Sequence, residues 1–235
     1  MIYKVLIVSA TQTEIAPLLE QYEAKQNIHS NKVFSFAHKR CAVDVLITGV
    51  GLIATAFEMG QWLARRHYDL VLNAGLAGSF NLDAPIGSVV QITNDEIAEW
   101  GAESPNEFIA MSQLPFFNAN EFPYQNGQLI QNNIPQLSTS IILRLVKGIT
   151  VNKSSGNTKT IKYLKKNYNP DAETMEGAAF MYVVLALGQS NFAAIRAISN
   201  YVEPRNTDNW NLPLAIKNLN QVLTDIIASH AKGFA

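Results

Sequence analysis

Four short stretches hold most of the side chains able to do chemistry: SATQTE (9–14), NAGLAGS (73–79), ETMEG (173–177) and RAISN (196–200). Glu14 follows an apolar run and could hold a water and take its proton. Thr11-x-x-Glu14 also fits a capping box, which accounts for the same residue by structure alone. Glu176 stands at the mouth of an apolar run, where a carboxylate can accept two hydrogen bonds from a ribose diol or complement a helix dipole. Arg196 lies inside an otherwise apolar stretch, so it needs a carboxylate partner, either as a structural ion pair or to orient a site. The glycines of NAGLAGS let backbone approach a ligand closely, or form a tight strand-to-loop turn. They are not a P-loop, because no Lys-Ser/Thr follows.

Other chemistries find no support. His29, His38, His67 and His230 are dispersed and lack metal-ligand spacing. Cys41 sits in a strand pattern and reads as core. There is no Gly-x-Ser-x-Gly elbow and no cofactor motif.

The elements that must position these residues alternate. Val5–Ser9 reads as a strand, followed by a helix from the Thr11 cap to about residue 24. Val33–Ala37 and Ala42–Thr48 read as a hairpin pair, and Gly49-Val-Gly51 opens a helix over roughly 51–66. Asp69–Asn73 and Ser88–Thr93 read as strands, and residues 99–138 as loops with one short helix at most. A strand within Ile141–Val151, a basic helix Lys159–Asn167, a buried helix Glu176–Gly188, a buried strand Phe192–Ser199 and an amphipathic helix Leu212–His230 complete the order. Strands alternating with helices imply a layered, mostly parallel α/β sheet, with ligands beyond the carboxyl ends of its strands.

The whole-chain numbers agree. The 235 residues suffice for one large domain with a full core, and 48% apolar against 16% charged residues is a globular composition. A net charge of −1 with scattered Lys and Arg gives no footprint for nucleic acid or an anionic membrane. One cysteine permits no internal disulfide and suits a reducing, cytoplasmic compartment. The apolar run in MIYKVLIVSA is too short for a signal peptide, and the 12 residues of GAAFMYVVLALG are too few to span a bilayer.

Taken in order, KVLIVSATQTE, TGVGLIATA, NAGLAGS, TMEGAAF and RAISN resemble the nucleoside phosphorylase/nucleosidase superfamily over nearly the whole chain. TMEGAAF followed by RAISN is the specific part. The resemblance implies a single domain over residues 1–235, a three-layer α/β/α sandwich around a mixed, mostly parallel twisted sheet. It implies a homo-oligomer, dimer or larger, acting on a small-molecule nucleoside without cofactor or metal. It also implies cleavage of a purine N-glycosidic bond through an oxocarbenium-like transition state. Position by position, Met175 and Glu176 match the ribose-binding pair and Arg196 the arginine that orients it. Glu14 matches the acid that activates water in nucleosidases. Ala77 and Gly78 match the loop flanking sugar and base, and Ser199-Asn200 the Ser-Asp that protonates N7 in adenine-specific enzymes. The segment around Ser154–Gly156, Ser155 at its centre, loosely matches the one that contacts the base.

Two departures sharpen the expectation. Phosphorylases of the superfamily usually carry Gly and Arg in the first strand-to-helix loop, where they hold phosphate. SATQTE has neither and has an acid instead, which favours water as nucleophile. Asn200 replaces the usual Asp, and its amide can donate to O6 or N7 of a departing 6-oxopurine. Water with a 6-oxopurine leaving group resembles the futalosine hydrolase branch, which releases hypoxanthine on a route to menaquinone. DEIAEWGAE and RAISNYVEPR followed by Trp210 are similar to that branch too. Phe116, Phe117, Phe122 and Tyr124 could cover the far end of such a substrate, or simply pack a loop. Arg205 could meet its carboxylate, or be a solvated charge. The competing expectations are a methylthioadenosine/adenosylhomocysteine nucleosidase, a purine nucleoside phosphorylase and a nucleoside-binding protein on the same fold.

Overall fold

The computed structural model describes residues 2–28, 30–105, 107–138 and 141–232; His29 lies outside them. In strand β1 (Tyr3–Ser9) alternate side chains part to the two faces of a sheet: Leu6 and Val8 enter one core, Val5 and Ile7 another. A strand covered on both faces reads as an unbroken apolar run, as this one does. Helix α1 (Gln12–Gln21) follows, then β2 (Lys25–Asn27), the hairpin β3 (Ser30–His38) and β4 (Cys41–Ile47), helix α2 (Leu52–Leu63), β5 (Leu70–Ser79) and β6 (Val89–Asp95). The stretch that reads as loops holds four short strands: β7 (Gly101–Glu103), β8 (Phe108–Ala110), β9 (Tyr124–Gln125) and β10 (Gln128–Ile130). Among the described residues its one helical piece is a 3-10 turn at Met111–Gln113. The rest is β11 (Arg144–Thr150), α3 (Thr158–Tyr168), β12 (Ala172–Thr174), α4 (Gly177–Ala186), β13 (Phe192–Tyr201) and α5 (Leu212–Lys232).

The main sheet runs β2-β3-β4-β1-β5-β12-β11-β6-β10-β9. Strand β13 pairs with both β5 and β6, so β5, β12, β11, β6 and β13 close a ring. The sheet is mixed, and its longest ladders, β13 on β5 and β1 on β4, are parallel. Helices α1 and α5 share one core with the sheet, and α2 and α4 share the core on its other face. This is the three-layer α/β/α arrangement. Helix α3 covers a third cluster with Phe80, Ile149 and Val202. Among the described residues no helix is long and apolar enough to cross a membrane.

One local expectation changes. NAGLAGS is neither turn nor loop but the second half of β5, because β13 on one side and β12 on the other supply register partners through Ser79. Ala77 and Gly78 therefore present themselves from a strand, Gly78 with a register partner on each side and Ala77 with one on β13.

Candidate active site

Beyond the carboxyl ends of β1, β5, β12 and β13 lies a cavity of about 260 Å³. Its wall includes Glu14, Ala77, Gly78, Met175, Glu176, Ser199 and Asn200, together with Ser154, Glu173 and Trp210. The four sequence stretches, spread over residues 9–200, meet here because β1 and β13 pair with β5 in parallel, while β12 runs antiparallel to β5 and sets Glu173 against Gly78.

The capping box at the start of α1 forms as the spacing predicts. Glu14 N–H donates to Thr11 Oγ1 at 3.4 Å, and Thr11 N–H donates to Glu14 Oε2 at 2.9 Å. The hydroxyls of Thr11 and Ser9 also donate to Oε2, at 2.8 and 3.4 Å, and Leu76 N–H donates to Oε1 at 3.0 Å. Cap and site acid are thus one residue: the cap fixes the carboxylate where it lines the cavity. A carboxylate so held can orient a water without spending side-chain freedom to do so.

Glu176 precedes α4 and reaches across to α2, whose first free N–H, that of Gly51, donates to its Oε1 at 2.9 Å. Gly51 has φ +93, a left-handed backbone that suits glycine. Burial pushes the Glu176 carboxyl above the usual range; the Gly51 N–H and the Arg196 charge oppose this, and Glu14 adds to it. The sequence shows the GVG turn but not that its amide would hold this carboxylate.

Arg196 is 1% exposed and closes no ion pair among the described residues. That corrects the expected direct carboxylate partner. Its Nη1 donates to the carbonyls of Asn73 and Ile195, both at 3.0 Å, and its Nη2 to Asn73 Oδ1. Burial lowers its pKa, and Glu176, Glu14 and Asp95 all act against that. One buried cation therefore balances three surrounding acids at longer range. Gly75 makes room for this: a Cβ there would lie 3.0 Å from Glu14 Oε1 and 4.0 Å from Arg196 Cζ.

Asp95, which the sequence did not single out, closes a buried chain under α4. Ala178 N–H donates to Thr150 Oγ1, and Thr150 Oγ1–H to Asp95 Oδ1, each at 2.8 Å. Gly177 N–H donates to Thr174 Oγ1 at 3.2 Å. Threonine hydroxyls thus satisfy the first amides of the helix that follows Glu176. Burial pushes Asp95 up to about 7 against the Thr150 hydrogen bond and the Arg196 charge.

Ser199 Oγ donates to Asn200 Oδ1 at 2.8 Å, and Asn200 Nδ2 donates to Tyr201 O at 3.0 Å. The amide is oriented with its oxygen occupied and a second N–H to spare. Ser155 is not on the wall; its neighbour Ser154 is, while Ser155 N–H donates to Glu173 Oε1 at 2.8 Å. Arg205 is exposed, its guanidinium carbon 5.2 Å from the ring centre of the wall residue Trp210. None of Phe116, Phe117, Phe122 and Tyr124 lines the cavity; Phe117 and Tyr124 pack with Trp100, and Phe116 and Phe122 are exposed. Among the described residues no group of His, Cys, Asp and Glu gathers that could hold a metal ion.

Comparison with known proteins gives consistent results. The family model described as the phosphorylase superfamily matches residues 4–228. The futalosine hydrolase of Acidothermus cellulolyticus is 29% identical over 221 residues, 92% of this chain and 87% of that protein. The 5'-methylthioadenosine/S-adenosylhomocysteine nucleosidase of Colwellia psychrerythraea is 26% identical over 231 residues, 94% of each chain. The structure of futalosine hydrolase from Helicobacter pylori superimposes with a TM-score of 0.78 at 16% identity, covering 97% of this chain and 98% of that one.

Proposed function

The chain belongs to the phosphorylase superfamily, and from that premise we propose that it is an N-glycosyl hydrolase that cleaves futalosine with water, releasing hypoxanthine. One observation carries the reading: Glu14, in the first turn of α1 and at the end of a strand-to-helix stretch that lacks the arginine and glycine of a phosphate site, lines the same cavity as the oriented amide of Asn200. A carboxylate repels phosphate but can take a proton from water.

Glu14 holds a water below the ribose and accepts its proton. Glu176 accepts the 2′ and 3′ hydroxyls, with Met175 beside it, while the Gly51 amide fixes one of its oxygens. Arg196 steadies the charge of the acids around the sugar. The C1′–N9 bond breaks with the electron pair leaving on the purine, and the water oxygen bonds to C1′. Asn200, held by Ser199, donates to O6 or N7 and spreads the negative charge of the departing 6-oxopurine. Ala77 and Gly78 flank sugar and base, and Arg205 beside Trp210 meets the substrate's distant carboxylate. The setting is the cytoplasm and the futalosine route to menaquinone.

The protein works as a homo-oligomer. Val50, just before α2, and Ile53 and Phe57 on it are apolar and 56%, 88% and 61% exposed, and Val50 lines the cavity. A second copy covering these residues would also close the site.

The test is purine release from futalosine, inosine and methylthioadenosine, each with and without phosphate. Phosphate-independent hypoxanthine release from futalosine, with little from the other two, is the expected result. Phosphate-dependent cleavage of inosine would make the protein a phosphorylase, and adenine release would make it a methylthioadenosine nucleosidase.

A further inference from the structure

Helix α2 ends before the strands beneath it do. On its face of the sheet, Leu6 and Val8 of β1 and Leu46 of β4 share a core with Met59, Trp62 and Leu63 of the helix. Lys4, Ala42 and Asp44 continue the same alternation along the two strands, and Lys4 is the register partner of Ala42. The last residue of α2 is Leu63, and the chain from Ala64 to His67 leads away toward β5. A groove is left at the amino ends of β1 and β4, whereas the candidate active site lies beyond the carboxyl ends. It consists of two cavities of about 520 and 420 Å³ that share Arg65 and Arg66. Leu46, Glu58 and Trp62 wall the first; Lys4, Asp44 and His67 wall the second.

The acids of the groove are already engaged. Asp44 Oδ1 accepts the Ser35 hydroxyl at 2.6 Å, and its Oδ2 the Tyr68 hydroxyl at 2.7 Å. Glu58 pairs with Lys32 at 2.6 Å. Asp69, just beyond the wall residue Tyr68, accepts the Lys4 N–H at 2.7 Å. Among the described residues, Lys4, Arg65 and Arg66 close no ion pair. Arg66 is nevertheless held: its guanidinium carbon lies 3.5 Å from the centre of the Trp62 ring, and Trp62 Nε1 donates to the Tyr68 hydroxyl at 2.7 Å. A guanidinium placed over an aromatic face loses little further freedom when its N–H groups meet an anion.

We propose that this groove is a second ligand site, which takes a small molecule by a phosphate or diphosphate group held between Arg65, Arg66 and Lys4. Cavities of this size suit a small molecule. Two guanidinium forks and an ammonium without acids of their own match the charge and the oxygen geometry of phosphate. His67 on the same wall adds a further nitrogen. The competing account is that both arginines only complement the last carbonyls of α2. The site stands apart from the function proposed above, because neither cavity shares a wall residue with the candidate active site.

The experiment titrates inorganic pyrophosphate into the protein by calorimetry at about 0.15 M salt, where attraction between exposed charges is screened beyond about 8 Å. The parent is compared with Arg65→Gln, Arg66→Gln and, on the lysine-rich helix α3, Lys162→Gln. Saturable uptake is expected, weakened about 10-fold or more in each arginine variant and unchanged in Lys162→Gln. Arg65 is exposed and has no stacking partner, so its variant reports even if losing the Trp62 contact unfolds Arg66→Gln. Absence of saturable uptake would overturn the site and leave the arginines as a helix end. Uptake that Lys162→Gln weakens equally, or that neither arginine change alters, would also overturn it, as general charge attraction or as binding elsewhere.

Discussion

Glu14→Gln keeps an acceptor for the Thr11 amide but cannot take a proton. On the function proposed above it should lower kcat by about 100-fold or more, with a lowered melting temperature because the new NH2 faces the Leu76 N–H; an unchanged kcat would leave Glu14 as a cap only. Asn200→Asp replaces the donating amide with an acceptor beside O6. Relative kcat/KM should move toward 6-aminopurine nucleosides, and an unchanged ratio would remove Asn200 from base selection. Asp95 belongs to stability. Its folded pKa of about 7 lies above the usual ~4 of an aspartate, so between those values the native state binds the extra proton and stability falls as pH rises. Asp95→Asn retains the acceptor for Thr150 and removes the titration. Thermal melts between pH 4 and 7 should then show a shallower decline than the parent; parallel declines would assign the pH dependence elsewhere.

At the scale of elements, the site depends on glycines where two segments come close. In β5, Gly75 faces Glu14 and Arg196, and Gly78 lies between β12 and β13. At the head of α4 a Cβ on Gly177 would collide with Asp95 Oδ2. Gly177→Ala should therefore cost at least about 1–3 kcal/mol in a denaturant titration, as overpacking does. A cost no larger than that of an exposed substitution would show that Asp95 can move aside. The alternating strands and helices were legible because doubly covered strands read as apolar runs and caps have fixed spacing. That β5 continues through NAGLAGS was not: glycines weaken a strand locally, and it is the ladder with β13, distant in sequence, that carries the strand through Ser79.

At the scale of the whole molecule, exposed Val50, Ile53 and Phe57 are the feature that a single copy leaves unexplained. Phe57→Glu, which places a charge among them, should shift the sedimentation of the protein toward the single-chain mass and lower its activity together. A parent already sedimenting as one chain would remove the oligomer from the account.

The sequence by itself determined the alternation of elements, the capping box, the four chemical stretches and the Asp-to-Asn departure at position 200. Each is local and set by spacing or residue type. Tertiary structure alone decided that Arg196 donates to carbonyls rather than to one carboxylate, that Gly51 holds Glu176, and that Asp95 lies beneath α4. It also put Glu173 in register with Gly78 and Asn200, and kept the four loop aromatics off the cavity wall. These relations join residues far apart in the chain. Strand register and the space between packed layers fix them, and no pattern within one segment encodes either.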